Sequence, residues 1–154
     1  MLNLKISSCT LVGLLFAICF SVEAQQKMYK IGELTARPGL ARSSDEFVRA
    51  LRDLGYVEGK NIGFELRSAE GKPERFPALA DELVRLKVDV LVATSTAEAL
   101  AFRNATETIP IVFYTGGDPI EVGLVDSMAR PGGNVTGVTL ISAELIGERL
   151  ELLK

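Results

Sequence analysis

Hydroxyl-bearing residues follow one of the apolar runs of this sequence, where they could bind a small anionic group. Thr94, Ser95 and Thr96 stand between the apolar run at residues 88–93 and a helical pattern that begins at Ala97. Hydroxyls and unpaired backbone N–H groups at a helix N-terminus bind a carboxylate or a phosphate. The same residues also serve as ordinary helix caps, which need no ligand. Both interpretations stay open at this point.

A second group of polar residues and glycines follows the next two apolar runs. Gly116 and Gly117 allow a backbone to approach a ligand closely, although glycine is equally the default residue of a tight turn. Asp118 has the charge to accept a hydrogen bond from a ligand ammonium group, and capping a following helix is its simpler role. The full set of predicted ligand-binding residues is Thr94, Ser95, Thr96, Thr115, Gly116, Gly117, Asp118 and Thr139.

The sequence lacks the side chains of most known catalytic and metal sites. It contains no histidine, and its two cysteines, Cys9 and Cys19, both lie near the N-terminus. These absences exclude histidine acid–base catalysis, Ser-His-Asp and Cys-His sites, and His/Cys zinc sites. No G-x-x-x-x-G-K-[ST], G-x-G-x-x-G or G-x-S-x-G motif occurs. The sequence therefore predicts a binding protein without a metal or cofactor, rather than an enzyme.

The composition is that of an ordinary folded protein. Of the 154 residues, 47% are apolar and 24% are charged, a balance typical of globular rather than disordered chains. Seventeen Lys and Arg residues against twenty Asp and Glu residues leave a formal net charge of −3. Because this charge provides no basic surface, we expect no nucleic-acid partner.

Residues 1–24 are predicted to be a cleaved secretory signal peptide. Lys5 precedes an apolar run at residues 11–20, and small side chains lead up to Ala24. The run is shorter than the ~20 residues that span a bilayer, which favours a leader over an uncleaved membrane anchor. We therefore expect a periplasmic or other extracytoplasmic location, with both cysteines lost at cleavage.

Strand and helix patterns alternate behind the leader. Apolar runs predict strands at residues 29–34, 62–67, 88–93, 109–114 and 135–140. Helical spacing predicts helices from a Ser43–Glu46 capping box to Gly55, at 74–86, at 97–106, from an Asp118 cap onward, and from Ser142 to Lys154. This alternation predicts an α/β fold with a doubly wound, parallel, five-stranded sheet. Ligands of such sheets bind outside the carboxyl ends of the strands, where the predicted residues lie.

Five segments carry a family resemblance when they are taken in order. They are FVRALRDLGYVEGKN (47–61), FPALADELVRLKVDVLV (76–92), IPIVFYTGGDP (109–119), ARPGGNVTG (129–137) and ERLELLK (148–154). Together they resemble the ABC-transporter substrate-binding proteins of the tryptophan/tyrosine-binding type. The resemblance covers nearly all of the chain behind the leader, and it implies the N-terminal lobe of a type I periplasmic-binding-protein fold.

The resemblance also implies a function and a domain organisation. Residues 25–140 would form the first solute-binding lobe, and residues 141–154 the hinge crossing and first helix of a truncated second lobe. A small-molecule ligand, such as an amino acid, would lie between the lobes and meet Thr94, Ser95 and Thr96 through its carboxylate. Closure of the lobes is a hinge motion, and an ABC permease would recognise the closed form. Contact with the membrane would then occur only through the transporter complex.

Three other functions are compatible with the same sequence. A ligand-sensing receptor ectodomain would use the same lobe for signalling rather than transport. A flavodoxin-like or hydrolytic enzyme with an acidic site would use a similar sheet, although the absent histidine and phosphate loop argue against it. A non-functional fragment of a longer binding protein would retain the fold without binding.

Overall fold

The computed structural model describes residues 27–36 and 44–140 of the chain. The leader predicted for residues 1–24, the capping residue Ser43 and the helix predicted from Ser142 lie outside the described residues. The regular elements are β1 (Tyr29–Thr35), α1 (Asp45–Asp53), β2 (Ile62–Ser68), a 3₁₀ turn (Pro73–Arg75), α2 (Phe76–Arg85), β3 (Val90–Ala93), α3 (Thr96–Ala105), β4 (Ile111–Thr115) and β5 (Val135–Thr139).

All five strands pair in parallel in one sheet, in the order β2-β1-β3-β4-β5. The order reverses between β1 and β3, so the chain leaves these two strands toward opposite faces of the sheet. This arrangement confirms the predicted doubly wound parallel sheet. The register places Thr115 beside Thr139, which brings the carboxyl ends of β4 and β5 together.

One face of the sheet carries the main hydrophobic core under α2 and α3. Leu91, Ile111 and Phe113 point to this face and are at most 2% exposed. Leu83 of α2 and Phe102 of α3 belong to the same buried cluster. Burying side chains of this size stabilises a protein by roughly 1.5–3 kcal/mol each. This layer therefore fixes the strands whose ends carry the predicted site.

The opposite face is covered only in part within the described residues. Helix α1 lies on it with Phe47 and Leu51 half-buried, and no residue of α1 is fully buried. Val112, Tyr114 and Val138 alternate with buried residues of their strands and are 38%, 53% and 59% exposed. Strands β4 and β5 thus present apolar surface beside α1.

Local signals account for both ends of α1. Ser44, one residue later than the predicted cap, accepts a hydrogen bond from the N–H of Phe47 at 3.3 Å. Asp45 and Glu46 place negative charge in the first turn, where the helix dipole favours it. Gly55 adopts the left-handed conformation with φ +87°, which confirms its predicted role just past the helix end.

The helix predicted to begin at Asp118 is not formed, and that prediction is wrong. The Asp118 side chain accepts hydrogen bonds from two following N–H groups, as a cap does, but the chain makes turns instead of a helix. Gly123 adopts a left-handed φ of +68°, which ends the helical path after about one turn. Leu124 and Val125 then enter the hydrophobic core, so tertiary burial decides the local conformation.

Candidate functional site

The predicted binding residues lie at the carboxyl edge of the sheet. In chain order they are Thr94 and Ser95 after β3, Thr96 at the start of α3, Thr115 at the end of β4, Gly116, Gly117 and Asp118 in the next turn, and Thr139 at the end of β5. Ligands of open parallel sheets bind at this edge. The fold therefore brings the loops of the prediction together, and their contact with a ligand stays a prediction.

A buried glutamate caps the start of α3. The Ser95 hydroxyl accepts a hydrogen bond from the N–H of Glu98 at 3.3 Å, and Glu98 Oε2 accepts from the N–H and the hydroxyl of Thr94 at 2.8 and 3.1 Å. Glu98 is only 4% exposed. Sequence reasoning missed this residue, although the Ser-x-x-Glu spacing of a capping box indicates it. Helix capping thus uses groups of Thr94 and Ser95.

Two backbone N–H groups at the start of α3 are still available to a ligand. Thr96 and Ala97 occupy the first two helical positions, where an N–H group has no acceptor within the helix. In the part of the chain that the structure describes, neither N–H donates a hydrogen bond to another residue. A Cβ atom on Gly117 would stand 3.3 Å from Thr96 Oγ1. The loops after β3 and β4 therefore meet at this point.

Two threonine hydroxyls hold the carbonyl oxygen of Gly117. Thr139 Oγ1 donates to it at 2.7 Å, and Thr115 Oγ1 donates to it at 3.2 Å. The N–H of Leu140 in turn donates to the carbonyl of Thr115 at 2.8 Å, which continues the pairing of β4 with β5. Thr115 and Thr139 thus hydrogen-bond to the turn that carries Gly116, Gly117 and Asp118.

Backbone N–H groups that follow Asp118 in the same turn fix its side chain. Its Oδ1 atom accepts hydrogen bonds from the N–H groups of Ile120 and Glu121 at 2.8 and 3.3 Å. Asp118 is nevertheless exposed, so its negative charge faces the solvent at the carboxyl edge. A carboxylate in this position suits a cationic group of a ligand.

An apolar cavity of about 620 Å³ opens on the less covered face of the sheet. Its volume lies in the range of small-molecule pockets. Thr94 connects it to the predicted site, while Phe47 and Tyr114 supply aromatic surface. The lining residues are Ser44, Phe47, Val92, Thr94, Val112, Phe113, Tyr114, Gly137 and Val138.

An ion pair with displaced pKa values lies before β3, at the opposite edge of the sheet. The Asp89 carboxylate accepts a hydrogen bond from the Lys30 N–H and pairs with the Lys27 ammonium, each at 2.9 Å. The Lys30 N–H, followed by Lys27, holds the pKa of Asp89 below its usual 3.8. The same contact with Asp89 raises the pKa of Lys27 above its usual 10.5. Because this ion pair lies at the amino ends of the strands, away from the predicted binding residues, we assign it a role in stability.

The described ranges contain no cluster of His, Cys, Asp and Glu residues arranged to hold a metal ion. Among the helices of the same ranges, none has the length and apolar character that crossing a bilayer requires. The groups that the carboxyl edge offers are therefore backbone N–H groups, hydroxyls and one carboxylate.

The described residues thus form a doubly wound α/β sheet with polar loops gathered at its carboxyl edge, the edge at which such sheets bind ligands. Residues 30–154 match the family model described as ABC transporter substrate binding protein. The chain belongs to this family.

Three relatives illustrate the similarity. The chain is 38% identical over 130 residues to the tyrosine-binding protein of Clostridioides difficile, covering 84% of this chain and 37% of that protein. A crystal structure of a conserved domain protein from Vibrio cholerae has a TM-score of 0.70 at 34% identity, covering 84% of this chain and 43% of its own. An ABC domain from Streptococcus pneumoniae in complex with L-Trp has a TM-score of 0.62 at 27% identity; the match covers 73% of this chain and 39% of that one. The chain thus spans less than half the length of each.

Proposed function

We propose that this chain supplies a ligand-binding lobe of a substrate-binding protein that serves an ABC import system. The observation that carries the proposal is the meeting of the loops after β3 and β4, where Thr96 lies against Gly117. Family membership supports it. One relative is named for binding tyrosine and another is in complex with L-Trp, so we propose an amino acid or a similar small molecule as the ligand.

The groups at the carboxyl edge fit a ligand that carries both charges. The N–H groups of Thr96 and Ala97 lie at the positive end of α3, which suits a carboxylate. Asp118 offers an exposed carboxylate, which suits an ammonium group. An amino acid has both groups, and hydrogen bonds from the hydroxyls of Ser95 and Thr96 would complete its recognition. These groups offer binding without a chemical step, so the proposed role is not catalytic.

The proposal extends to the organisation of the whole protein. Residues 25–140 would form the first lobe, and residues 141–154 would cross the hinge into a second one. The ligand would be enclosed between the lobes, and an ABC permease would bind the closed form. The leader at residues 1–24 would direct export, so the protein would work outside the cytoplasm and meet the membrane through the transporter.

Ligand titration of the purified chain tests the proposal. Amino acids, small peptides, purine derivatives and sugars are screened for a rise in melting temperature, and positive ligands are titrated by calorimetry. A ligand at 100 times its Kd stabilises a protein by about 2.7 kcal/mol, which is easily measured. We expect a response to L-tyrosine or L-tryptophan, weakened about fivefold by Thr96→Val because the variant loses the hydrogen bond that the Thr96 hydroxyl would donate to the carboxylate.

Thr136→Val is the matched control, because Thr136 is exposed on β5 and lies outside the site. It should bind the ligand with unchanged affinity. The absence of a melting response to every compound would contradict the proposal for this chain. Equal losses of affinity in Thr96→Val and Thr136→Val would contradict the location of the site.

A further inference from the structure

We infer that Thr139 is a positioning residue: through its hydrogen bond to Gly117 it holds Asp118 as the acceptor for an ammonium group of the ligand. The inference rests on the proposed function and assigns Thr139 a role different from direct ligand contact. Its ligand class is a small molecule with a primary ammonium group.

The turn after β4 would be mobile without a restraint of this kind. Gly116 and Gly117 are adjacent, and glycine has more accessible backbone conformations than any other residue. Both are exposed, and neither donates a backbone hydrogen bond to another described residue. Among the described residues, the carbonyl of Gly117 accepts the side-chain hydrogen bonds that join this turn to the ends of β4 and β5.

Two neighbouring strand ends supply this attachment. Thr115 and Thr139 are register partners on β4 and β5, and their hydroxyls donate to the same Gly117 oxygen at 3.2 and 2.7 Å. The peptide unit is planar and trans, so fixing the Gly117 carbonyl also fixes the N–H and Cα of Asp118. In a trans peptide the N–H of Asp118 points opposite to this carbonyl, and therefore away from the Thr115 and Thr139 hydroxyls.

A second pair of hydrogen bonds fixes the Asp118 side chain. Oδ1 accepts from the N–H groups of Ile120 and Glu121 at 2.8 and 3.3 Å. The backbone and the carboxylate of Asp118 are thus both ordered before a ligand arrives. Groups that are ordered in advance bind more tightly because less entropy is lost on binding.

The contact of Thr139 explains why it is a positioning residue. Its hydroxyl has a single proton, which the 2.7 Å bond to Gly117 uses. Valine has the same shape without the hydroxyl, so Thr139→Val removes the hydrogen bond with little change in packing. Serine keeps the hydroxyl, so Thr139→Ser should restore the behaviour of the wild type.

The first test is backbone ¹⁵N relaxation of the ligand-free chain. We expect order parameters near 0.85 for Gly117 and Asp118 in the wild type and in Thr139→Ser, the range of a rigid backbone. In Thr139→Val they should fall below about 0.6, the range of a flexible segment. Unchanged order in Thr139→Val would overturn the positioning role, and so would equal loss of order in the Thr136→Val control.

The second test compares L-tyrosine with 3-(4-hydroxyphenyl)propionate, which lacks the ammonium group. We expect Thr139→Val to weaken L-tyrosine binding about fivefold, the effect of one hydrogen bond, and to leave the propionate unaffected. Asp118→Asn should remove the preference for L-tyrosine, and adding Thr139→Val to it should have little further effect. Equal weakening of both ligands would indicate a general structural role and overturn the inference.

The two tests separate the inference from the proposed function. If the wild-type chain binds neither compound, nor L-tryptophan and the other amines of the screen, the proposed function fails, and the pairing of Asp118 with an ammonium group fails with it. Relaxation then still decides whether Thr139 orders the turn. If the chain binds L-tyrosine and Thr139→Val changes nothing, the proposed function stands and the inference is wrong.

Discussion

At the residue scale, the hydroxyls of the carboxyl edge act first on their own chain. Thr94 donates to the buried Glu98 carboxylate, and Thr115 and Thr139 donate to Gly117. A hydroxyl has one proton to donate, so these contacts limit what each threonine offers a ligand. The groups that stay available are the hydroxyls of Ser95 and Thr96, backbone N–H groups at the start of α3 and the carboxylate of Asp118.

The pH dependence of stability should report the contacts of Asp89. Its folded-state pKa is lowered below 3.8, so the native state binds fewer protons than the unfolded state on acidification. The resulting stabilisation is fully present above about pH 5 and is lost as the pH falls through the folded-state pKa. We expect Asp89→Asn to flatten this acid limb in urea unfolding between pH 6 and pH 2. Asp53→Asn, at an exposed position of α1, should retain it, and parallel curves for the wild type and Asp89→Asn would contradict the prediction.

At the element scale, β5 joins the sheet through a close contact that only glycine permits. Gly137 and Phe113 are register partners, and a Cβ atom on Gly137 would lie 2.6 Å from Phe113 Cγ and overlap the Phe113 carbonyl oxygen. Because Phe113 is buried at 2% exposure, it has little room to move. Gly137 therefore allows β5, and with it Thr139, to pair with β4.

Gly137→Ala should consequently destabilise the protein. Overpacking of a filled site costs about 3 kcal/mol at the upper end of the usual range, measured here as a lower free energy of unfolding in urea. Gly63→Ala is the matched control, because a Cβ atom on this β2 glycine meets nothing within 4 Å. The control should be neutral or stabilising by about 0.5 kcal/mol. Similar losses in both variants would show that strand glycine itself, rather than the contact with Phe113, is responsible.

The pairing of β4 with β5 also shows which features of this molecule the sequence could predict and which it could not. Apolar runs predicted all five strands, and helical spacing predicted α1, α2 and α3, because these signals are local. The role of Gly117 as a common acceptor for Thr115 and Thr139 depends on the register of β4 with β5, which no local pattern contains. The helix predicted from Asp118 failed for the same reason, since burial of Leu124 in the core outweighs a capping signal.

At the scale of the whole molecule, the two faces of the sheet differ. Helices α2 and α3 cover one face completely enough to bury Val135 at 6% exposure, whereas Val138 on the same strand is 59% exposed. Monomeric proteins rarely expose large continuous apolar patches, so an exposed apolar face of this kind is typical of a surface that binds another protein segment or a ligand. The second lobe proposed above is one source of such contacts.

Because the two faces of the sheet differ in burial, we expect the same substitution at two positions of β5 to change the free energy of unfolding by very different amounts. Val135→Lys places an ammonium group in the core, so we expect a loss of more than about 4 kcal/mol in the free energy of unfolding. Val138→Lys should change it by less than about 1 kcal/mol, as expected for a surface strand position, and should lower binding of a hydrophobic dye to the chain. Urea unfolding and dye fluorescence of the two variants check this. If Val138→Lys is as destabilising as Val135→Lys, the apolar face is buried in solution by parts of the chain outside residues 27–36 and 44–140.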